Sequence, residues 1–393
     1  MTTRPVPRTP PLGALYAAGF VTAFGAHSIA VGLGVETHDL GLSLLGLGVL
    51  LAVYDVAEVI LKPIFGTLSD RIGVKPVIIG GLLAFAAMSL LGVLAHNPLL
   101  LGLARFGQGA AASAFSPASS SAVARLAGPG TVGRYFGRYG SWKSLGYALG
   151  PLLGAGLIWL GGFPLLFVVL AGSAAATAVW VAFSIPTVPV LARPRYTVAD
   201  LARQLSHRGF LLPVSALAVA TGSLSVAVGF LPLLGTNLGM NTVASIAAVT
   251  VMAVASSAIQ PVIGALRDSG TLGVRPGIVV GILLIVCAIA LVGFLPSPVV
   301  LYVAALCFGL GIGATTTLGF AHLAATTPPE RMGRTMGTAE LGRELGDAGG
   351  PLLVGTVAAG AGLAAGFGAL VAVAGAVGIL CAILLPSGRA GDR

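Results

Sequence analysis

Twelve apolar runs, each about 20 to 27 residues long, follow one another along the 393-residue chain and are separated by Gly, Pro and charged residues. A helix needs about 20 such residues to cross the ~30 Å hydrocarbon core of a bilayer. The sequence therefore predicts an all-α membrane protein with twelve transmembrane helices. The runs lie at about residues 12–35, 42–65, 76–95, 98–124, 134–160, 162–184, 209–234, 242–264, 276–295, 298–324, 334–359 and 362–386.

The composition excludes a soluble enzyme. Hydrophobic residues make up 56% of the chain and charged residues 8%, whereas soluble domains carry about 25% charge. The first run is too long for a signal-peptide core and has no small-residue cleavage site after it, so we expect it to remain as a span. Three scattered cysteines, Cys287, Cys307 and Cys381, indicate neither a disulfide framework nor a metal site.

The basic residues are distributed by side. If the N-terminus is cytoplasmic, seventeen Lys and Arg residues fall in inside connections and none in outside connections, which predicts cytoplasmic termini by the positive-inside rule. This asymmetry explains the net charge of +9 without a nucleic-acid partner. We expect the protein to lie in a bacterial cytoplasmic (inner) membrane. The seventeen are Arg4, Arg8, Arg71, Lys75, Arg125, Arg134, Arg138, Arg193, Arg195, Arg203, Arg208, Arg267, Arg275, Arg331, Arg334, Arg389 and Arg393.

The two halves of the chain repeat each other. Residues 62–70 align with 260–268 at an offset of 198, and Gly133-Arg134 with Gly333-Arg334 at an offset of 200. The sequence predicts two pseudo-symmetric six-helix bundles, 1–184 and 209–393, with a substrate site between them. The polar residues 185–208 form a cytoplasmic linker that includes a short amphipathic helix at 198–205.

Residues 66–76, GTLSDRIGVKP, resemble motif A of the major facilitator superfamily. The resemblance implies that superfamily's fold and a gate formed by Gly66, Asp70, Arg71, Gly73 and Lys75. It places Asp70 beside the inner N-terminus of helix 11, around residues 333–338. The second-half copy has Ser269 where the Arg belongs, so we expect a smaller contribution there.

Two further motifs extend the resemblance. Arg105-Phe106-Gly107-Gln108-Gly109 is similar to motif B of the superfamily. Helix 5 is similar to motif C of proton-linked drug antiporters, except that Ala155 stands where a second Gly is usual. Its matching residues are Gly137, Gly146, Gly150, Pro151 and Gly154.

Apart from Arg134, Arg138 and Arg334, which are counted with the inside connections at the ends of their runs, nine charged residues fall inside the predicted spans. Each is costly there unless it is paired, hydrated or neutral. Asp55, Glu58 and Lys62 form one stripe on helix 2. Asp55 lies about 16 Å from Gly66 along the helix, near the bilayer centre, where a carboxyl group can bind and release a proton. Helix 11 carries Glu340, Arg343, Glu344 and Asp347 within an arc of about 100°. We predict that Asp55, Glu58, Glu344 and Asp347 serve proton coupling. Salt bridges that hold the two halves together are the alternative for Glu340, Glu344, Arg343 and Lys62.

The remaining polar candidates are assigned to a central cavity. Lys143 can pair with a helix 2 carboxylate or attract an anionic substrate group, and the sequence leaves this choice open. Aromatic residues recur along helix 1, which lines the cavity in this superfamily, although packing also explains that spacing. The predicted cavity residues are Phe24, His27, Arg105, Gln108, Lys143 and Arg343.

These features favour a proton-coupled secondary transporter that exports small molecules by alternating access. The alternative is a proton-coupled uptake symporter for a small organic anion. An intramembrane aspartyl protease is disfavoured because Glu344 stands where its signature needs Gly, and a channel is disfavoured by charged stripes on two repeats. We expect no enzymatic activity, no metal and no cofactor other than the coupling proton. The expected partners are a small molecule, the proton and lipid, with a monomeric chain.

Overall fold

The computed structural model describes residues 12–35, 44–95, 97–128, 130–190 and 206–385, and all regular secondary structure in these residues is helical. The long helix Val132–Ser184 has two segments, 132–160 and 163–184, which are named α5 and α6. The other helices are α1 Gly13–Val35, α2 Leu44–Ile72, α3 Val74–Val93, α4 Pro98–Leu126, α7 Arg208–Asn237, α8 Thr242–Asp268, α9 Val274–Phe294, α10 Pro298–Thr326, α11 Met332–Ala361 and α12 Leu363–Leu384. The predicted amphipathic helix at 198–205 and the basic residues before 12, within 191–205 and after 385 lie outside the described residues.

The long helix Val132–Ser184 is broken at Gly161–Gly162, which is where the sequence separates two apolar runs. Gly162 has φ 68° and ψ −173°, and Gly362, 200 residues later, has φ 87° and ψ 162° between α11 and α12. Such positive φ values are readily adopted only by glycine. The chain therefore reverses direction at equivalent points in its two halves.

Helix α2 extends beyond its predicted end at residue 65. It continues to Ile72, so the expectation that residues 66–72 form a connection is wrong. Side-chain hydroxyls bond to backbone carbonyls in these last turns: Thr67 Oγ1 donates to Pro63 O at 2.9 Å and Ser69 Oγ to Gly66 O at 2.8 Å. Helix α8 likewise continues to Asp268. Most of motif A is thus helical and rigidly placed.

Several helices begin at side-chain caps that the sequence repeats. Asn97 Oδ1 accepts from Leu100 N at 2.8 Å, and Ser297 Oγ accepts from Val300 N at 3.2 Å. Each cap is followed by a proline at the first helical position, where the missing N–H has no intrahelical partner to lose. The equivalent helices α4 and α10 therefore start in register.

Each half packs mainly on itself, and the halves meet along two helix pairs, α2 with α11 and α5 with α8. We call these two contact surfaces together the seam, and the end of the molecule where α2 ends and α11 begins the Asp70 side. One buried core joins Phe136 of the first half with Phe320, Met332 and Met336 of the second. The halves are therefore in close contact on the Asp70 side.

Seven of the described helices are long and apolar enough to cross a membrane. They are Val74–Val93, Val132–Ser184, Arg208–Asn237, Val243–Asp268, Val274–Phe294, Pro298–Thr326 and Leu363–Leu384. Helices α2 and α11 are not among them, and these two helices carry most of the charged residues found within the apolar runs. The charged residues within the apolar runs are therefore concentrated on α2 and α11, the two helices that meet at the seam.

Candidate functional site

Lys62 of α2 joins two carboxylates where α2 meets α11. Its Nζ donates to Glu58 Oε2 at 3.0 Å and to Glu344 Oε1 at 2.5 Å. Only 1% of Lys62 is exposed, so its charge depends on these partners. Because Glu58 lies on α2 and Glu344 on α11, Lys62 forms one ion pair within the first half and one across the seam.

Glu340 of α11 is the opposite case, because it is one carboxylate that pairs with two cations. Its carboxylate accepts from Lys143 Nζ of α5 at 3.0 and 3.1 Å and from Arg343 Nη1, on its own helix, at 2.8 Å. The sequence left open whether Lys143 pairs with a helix 2 carboxylate, and the structure pairs it with α11. Glu340 is fully buried. One ion pair again crosses the seam while the other stays within one half.

Arg343 extends this cluster to two further groups. Its Nε donates to Thr221 Oγ1 of α7 at 3.1 Å and its Nη2 to the Tyr147 hydroxyl of α5 at 3.0 Å. Tyr147 also lies against His27 of α1, with ring centroids 4.5 Å apart. Neither Thr221 nor Tyr147 was predicted as a site residue, since an uncharged hydroxyl in a span has no distinguishing sequence signal.

A cavity lies beside the Lys143 and Arg343 cluster, with about 480 Å³ of space between atoms, part of it open to solvent. Its walls combine aromatic rings, hydroxyls and the three charged groups of the cluster. They are Phe136, Tyr139, Gly140, Lys143, Ser144, Tyr147, Thr221, Leu224, Ile312, Thr316, Phe320, Glu340 and Arg343. Such a mixture of apolar surface and a few polar groups is typical of small-molecule sites.

Two of the predicted coupling carboxylates have no ion pair with any described residue. Asp55 is exposed on α2, on the same stripe as Glu58. Asp347 is half-buried and accepts a hydrogen bond from Ser225 of α7. The structure thus divides the four predicted carboxylates: Glu58 and Glu344 share Lys62, whereas Asp55 and Asp347 lack a cationic partner within the described part of the chain.

Arg105 and Gln108 lie inside the first half and are not among the cavity residues above. The Arg105 guanidinium carbon is 4.3 Å from the centroid of the Tyr54 ring, and its Nη1 donates to Gln108 Oε1 at 3.3 Å. Gln108 Nε2 donates in turn to Ser89 Oγ of α3 at 2.9 Å. These contacts join α2, α3 and α4.

Phe24 and His27 are the two predicted cavity residues on α1, and both make packing contacts. Phe24 is buried and stacks on Phe20, with centroids 5.7 Å apart. His27 is half-buried, and its Nδ1 lies 3.1 Å from Ala23 O. Because a carbonyl only accepts, Nδ1 carries the hydrogen, and Nε2 of the neutral ring is an acceptor.

Asp70 joins the end of α2 to the start of α11. Its carboxylate accepts from Gly333 N at 2.7 Å and Arg334 N at 2.9 Å, and only 2% of the residue is exposed. An anion is favoured there by the unpaired N–H groups and positive end of the helix dipole. Arg125 of α4 donates to the same carboxylate at 2.5 Å, a partner that the sequence analysis missed.

The other predicted gate residues play different parts. Gly66 lies against α11, because an added Cβ would come 2.5 Å from Gly333 O. Gly73 ends α2 with φ 99°. Arg71 is exposed and Lys75 half-exposed, whereas Arg125 donates to the Asp70 carboxylate.

The second half repeats the two helix contacts of Asp70. Asp268 accepts from Gly133 N at 2.8 Å and Arg134 N at 2.7 Å, at the start of α5. The carboxylate of this copy thus makes the same two helix contacts as Asp70, and the smaller contribution expected of it stays a prediction. Replacement of the motif's Arg by Ser269 does not affect the interaction, because the carboxylate alone contacts the helix N-terminus. The 198-residue offset between Asp70 and Asp268 was the signal that could have identified it.

A family model described as Major Facilitator Superfamily matches residues 15–351 and 214–392. The chain belongs to the major facilitator superfamily. Among solved structures of this fold, that of the human organic anion transporter MFSD10 (TETRAN) has a TM-score of 0.78 and 18% identity, covering 95% of this chain and 100% of that one. The fold and family are those of transporters, and the chain is an integral membrane protein.

Two relatives match part of the chain. The Multidrug resistance protein MdtG of Erwinia billingiae (strain Eb661) is 32% identical over 161 residues, 40% of this chain and 39% of MdtG. The Quinolone resistance protein NorA of Staphylococcus aureus (strain Mu50 / ATCC 700699) is 30% identical over 142 residues, 34% of this chain and 37% of NorA. The matches therefore span less than two fifths of each relative's length.

The glycines similar to motif C of this superfamily form helix contacts. Gly146 and Gly154 of α5 lie against α1, where an added Cβ would come 2.7 Å from Phe20 O and Ser28 O respectively. Gly150 lies against His27 and Pro151 is half-buried, while Gly137 contacts α8 at Gln260. In α11, Gly346 and Gly350 pack on α7 in the same way. The close packing of α5 on α1 in the first half is thus matched by that of α11 on α7 in the second.

Proposed function

We propose that this chain is a proton-coupled secondary transporter that exports small molecules by alternating access. The observation that carries the proposal is the seam, where ion pairs and helix caps join the two halves and a cavity lies beside the pair of Lys143 with Glu340. Contacts of this kind can break and re-form without unfolding either half. The resistance functions named for MdtG and NorA and the motif C pattern favour export.

In this proposal the helices form twelve spans in two six-helix bundles, 1–184 and 209–393, joined by the linker 185–208. Both termini and the Asp70 side face the cytoplasm of a bacterial cell, because the connections on that side carry the predicted excess of Lys and Arg. The chain acts as a monomer, with its substrate site between the bundles.

The transport cycle follows from the contacts at the seam. With the Asp70 side closed, Asp70 and Asp268 cap the partner half's helices and Lys62 and Lys143 pair with α11. Opening on this side separates each carboxylate from its helix N-terminus and each lysine from its α11 carboxylate. Substrate enters from the cytoplasm in that state, and closing re-forms the contacts.

Proton coupling is assigned first to Asp55. Glu58 and Glu344 share the Lys62 ammonium, which favours their charged forms. Asp55 has no ion pair with a described residue. It lies on the same stripe of α2, further from the Asp70 side than Glu58 and Lys62, and a proton can neutralise it there. Asp347 is the second-half candidate, since the Ser225 hydroxyl that donates to it is uncharged.

An uptake symporter for an organic anion is the second candidate. It is favoured by the excess of two cations, Lys143 and Arg343, over one carboxylate, Glu340, in the cavity wall.

Inverted membrane vesicles with an imposed pH gradient distinguish the two candidates. A panel of cationic, neutral and anionic compounds is offered outside vesicles whose lumen is acidic. We expect at least one compound to accumulate, and a protonophore to abolish the accumulation. Accumulation only when the outside is acidic supports the symporter instead, and gradient-independent movement of every compound contradicts both.

A further inference from the structure

One donor side chain on each side of the seam bonds once within its own helix and once to the other half. On the α2–α11 side the donor is Lys62, with the two carboxylate contacts described above. On the α5–α8 side it is Gln260, whose Nε2 donates to Ser256 Oγ of its own helix at 3.3 Å and to Ser144 Oγ of α5 at 2.7 Å. The offsets of 198 and 200 residues between the halves place Gln260, Ser256 and Ser144 at the positions of Lys62, Glu58 and Glu344.

The two equivalent sets differ in charge. The α2–α11 set consists of one ammonium and two carboxylates, all buried, and the desolvation cost of buried charges is recovered when a cleft opens and water enters. The α5–α8 set consists of one amide and two hydroxyls, for which water replaces a protein hydrogen bond at little net change in free energy. Entry of water into a cleft is therefore favoured by the groups of the α2–α11 set and not by those of the α5–α8 set.

Glycines of α5 continue along α8 to the level of Gln260. An added Cβ at Gly137 or at Gly140 would overlap Gln260. In α11 the residue at the position of Gly140 is Glu340, which pairs instead with Lys143 of α5. The glycine surface that faces α8 is therefore about one turn longer than the one with which α11 faces α2.

A second hydroxyl contact joins α5 to α8. Ser141 Oγ lies 2.8 Å from Ser257 Oγ, and Ser257 Oγ donates to Ser141 O at 3.1 Å. The equivalent positions on the α2–α11 side are Leu341 and Val59, whose side chains have neither donors nor acceptors. At this level the α5–α8 side is thus held by neutral hydrogen bonds and glycine packing, and the α2–α11 side by ion pairs.

From this asymmetry we propose that the α5–α8 contact around Gln260 is a pivot that stays formed in both states of the transporter, whereas the α2–α11 contact around Lys62 is a charged latch that opens. The inference rests on the proposed alternating access. Gln260 lies eight residues before Asp268, or about 12 Å along α8, so the Asp268 cap can separate from α5 while the two helices stay joined at Gln260. Because Ser144 also lines the cavity, the cavity lies beside the pivot.

A matched pair of variants tests the proposal, because a contact formed equally in two states stabilises both and cannot shift the population between them. Lys62→Met and Gln260→Met each remove the donor and keep an unbranched side chain at equivalent positions. Spin labels at Ile72 and Arg331, two exposed positions facing across the Asp70 side, report the ratio of open to closed molecules in purified full-length protein without substrate or pH gradient. Each variant is made in the parent and in Asp70→Asn, where the open state is more populated.

Lys62→Met should raise the ratio of open to closed molecules about tenfold or more, the effect of losing one charge-assisted hydrogen bond. Gln260→Met should lower the melting temperature, because two hydrogen bonds are lost, and leave the ratio unchanged. The milder pair Glu344→Gln and Ser144→Ala should divide in the same way. Gel filtration checks that each variant is folded.

A second pair of labels locates the pivot directly. Ser269 and Arg134 are exposed positions at the end of α8 and the start of α5. In Asp70→Asn, the difference in distance between the two states should be larger for Ile72 with Arg331 than for Ser269 with Arg134, because displacement grows with distance from a pivot.

A shift from Gln260→Met or Ser144→Ala as large as that from Lys62→Met, no shift from Lys62→Met, or equal distance changes at the two label pairs would each overturn the proposal. Since neither substrate nor gradient enters these measurements, such outcomes leave proton-driven export intact. Absence of accumulation in the inverted vesicles would instead refute proton-driven export and leave the pivot standing.

Discussion

Carboxylates of the same chemistry have different environments along this seam. Glu340 is held by two cations and Glu344 by one, while Asp55 has no ion pair with a described residue. A carboxylate between two cations binds a proton only at the expense of both pairs, whereas an unpaired carboxylate in a membrane span has no pair to lose. The position of a carboxylate relative to the lysines therefore sets how readily it binds a proton.

Asp55→Asn should abolish substrate-driven proton release. The amide keeps the shape of the side chain but cannot ionise, so no proton leaves when substrate binds. A pH-sensitive dye in weakly buffered detergent solution measures the release from purified protein. Glu58→Gln, one turn away and already paired with Lys62, is the matched control and should release nearly as much as the parent. Undiminished release from Asp55→Asn would move the coupling site elsewhere.

Gly66→Ala should separate α2 from α11. The added Cβ would come 2.5 Å from Gly333 O and 3.1 Å from Gly337 Cα, both backbone atoms, and such overpacking costs about 1–3 kcal/mol. We expect a lower melting temperature of the purified protein. Gly80→Ala on α3, where no atom lies within 4 Å of the new Cβ, is the control. Its free energy of unfolding should stay within about 1 kcal/mol of the parent's.

At the scale of helices, the two caps act through helix ends rather than through single cations. Asp70 and Asp268 each bond to two successive N–H groups at the start of a helix in the other half. An anion in this position contributes about 0.3–1 kcal/mol when exposed and up to ~2 when partly buried. Two such caps favour the state closed on the Asp70 side.

Asp70→Asn and Asp268→Asn should therefore both shift the population toward the state open on that side. Each loses the charge that faces a helix N-terminus, and a loss of ~2 kcal/mol corresponds to at most about thirtyfold. Distance distributions between labels at Ile72 and Arg331 measure the shift. Arg71→Gln, at an exposed side chain, should leave the distribution as it is. An unchanged distribution in both Asn variants would mean that the caps stabilise only the local turns and do not hold the two halves together.

Elements were more predictable than their contacts. The break at Gly161–Gly162 and the charged stripes of α2 and α11 follow from local periodicity, which determines the face of a helix. Which neighbour that face meets depends on the packing of distant segments. The pairing of Asp70 with Arg125, 55 positions away, and of Lys143 with Glu340 could not be read from the sequence for this reason.

For the whole molecule, topology is the first property to test. In a cysteine-free background, Arg71→Cys should react with a membrane-impermeant maleimide only in inverted vesicles, and Leu295→Cys only in intact cells. Both positions are exposed, and the basic residues place them on opposite sides of the membrane. Labelling of Arg71→Cys from outside intact cells would contradict the cytoplasmic assignment of the Asp70 side.

The reciprocal caps bear on how such a chain arose. Asp70 contacts residues 333 and 334, and Asp268, its counterpart, contacts residues 133 and 134. In a two-fold symmetric dimer of identical subunits, a contact from one site to another is always returned in this way. A half-length ancestor that paired with its own copy would have formed both caps from a single aspartate and a single helix start. Joining two genes of such an ancestor end to end would preserve the pair, and later substitutions such as Ser269 could accumulate in one copy without loss of either cap.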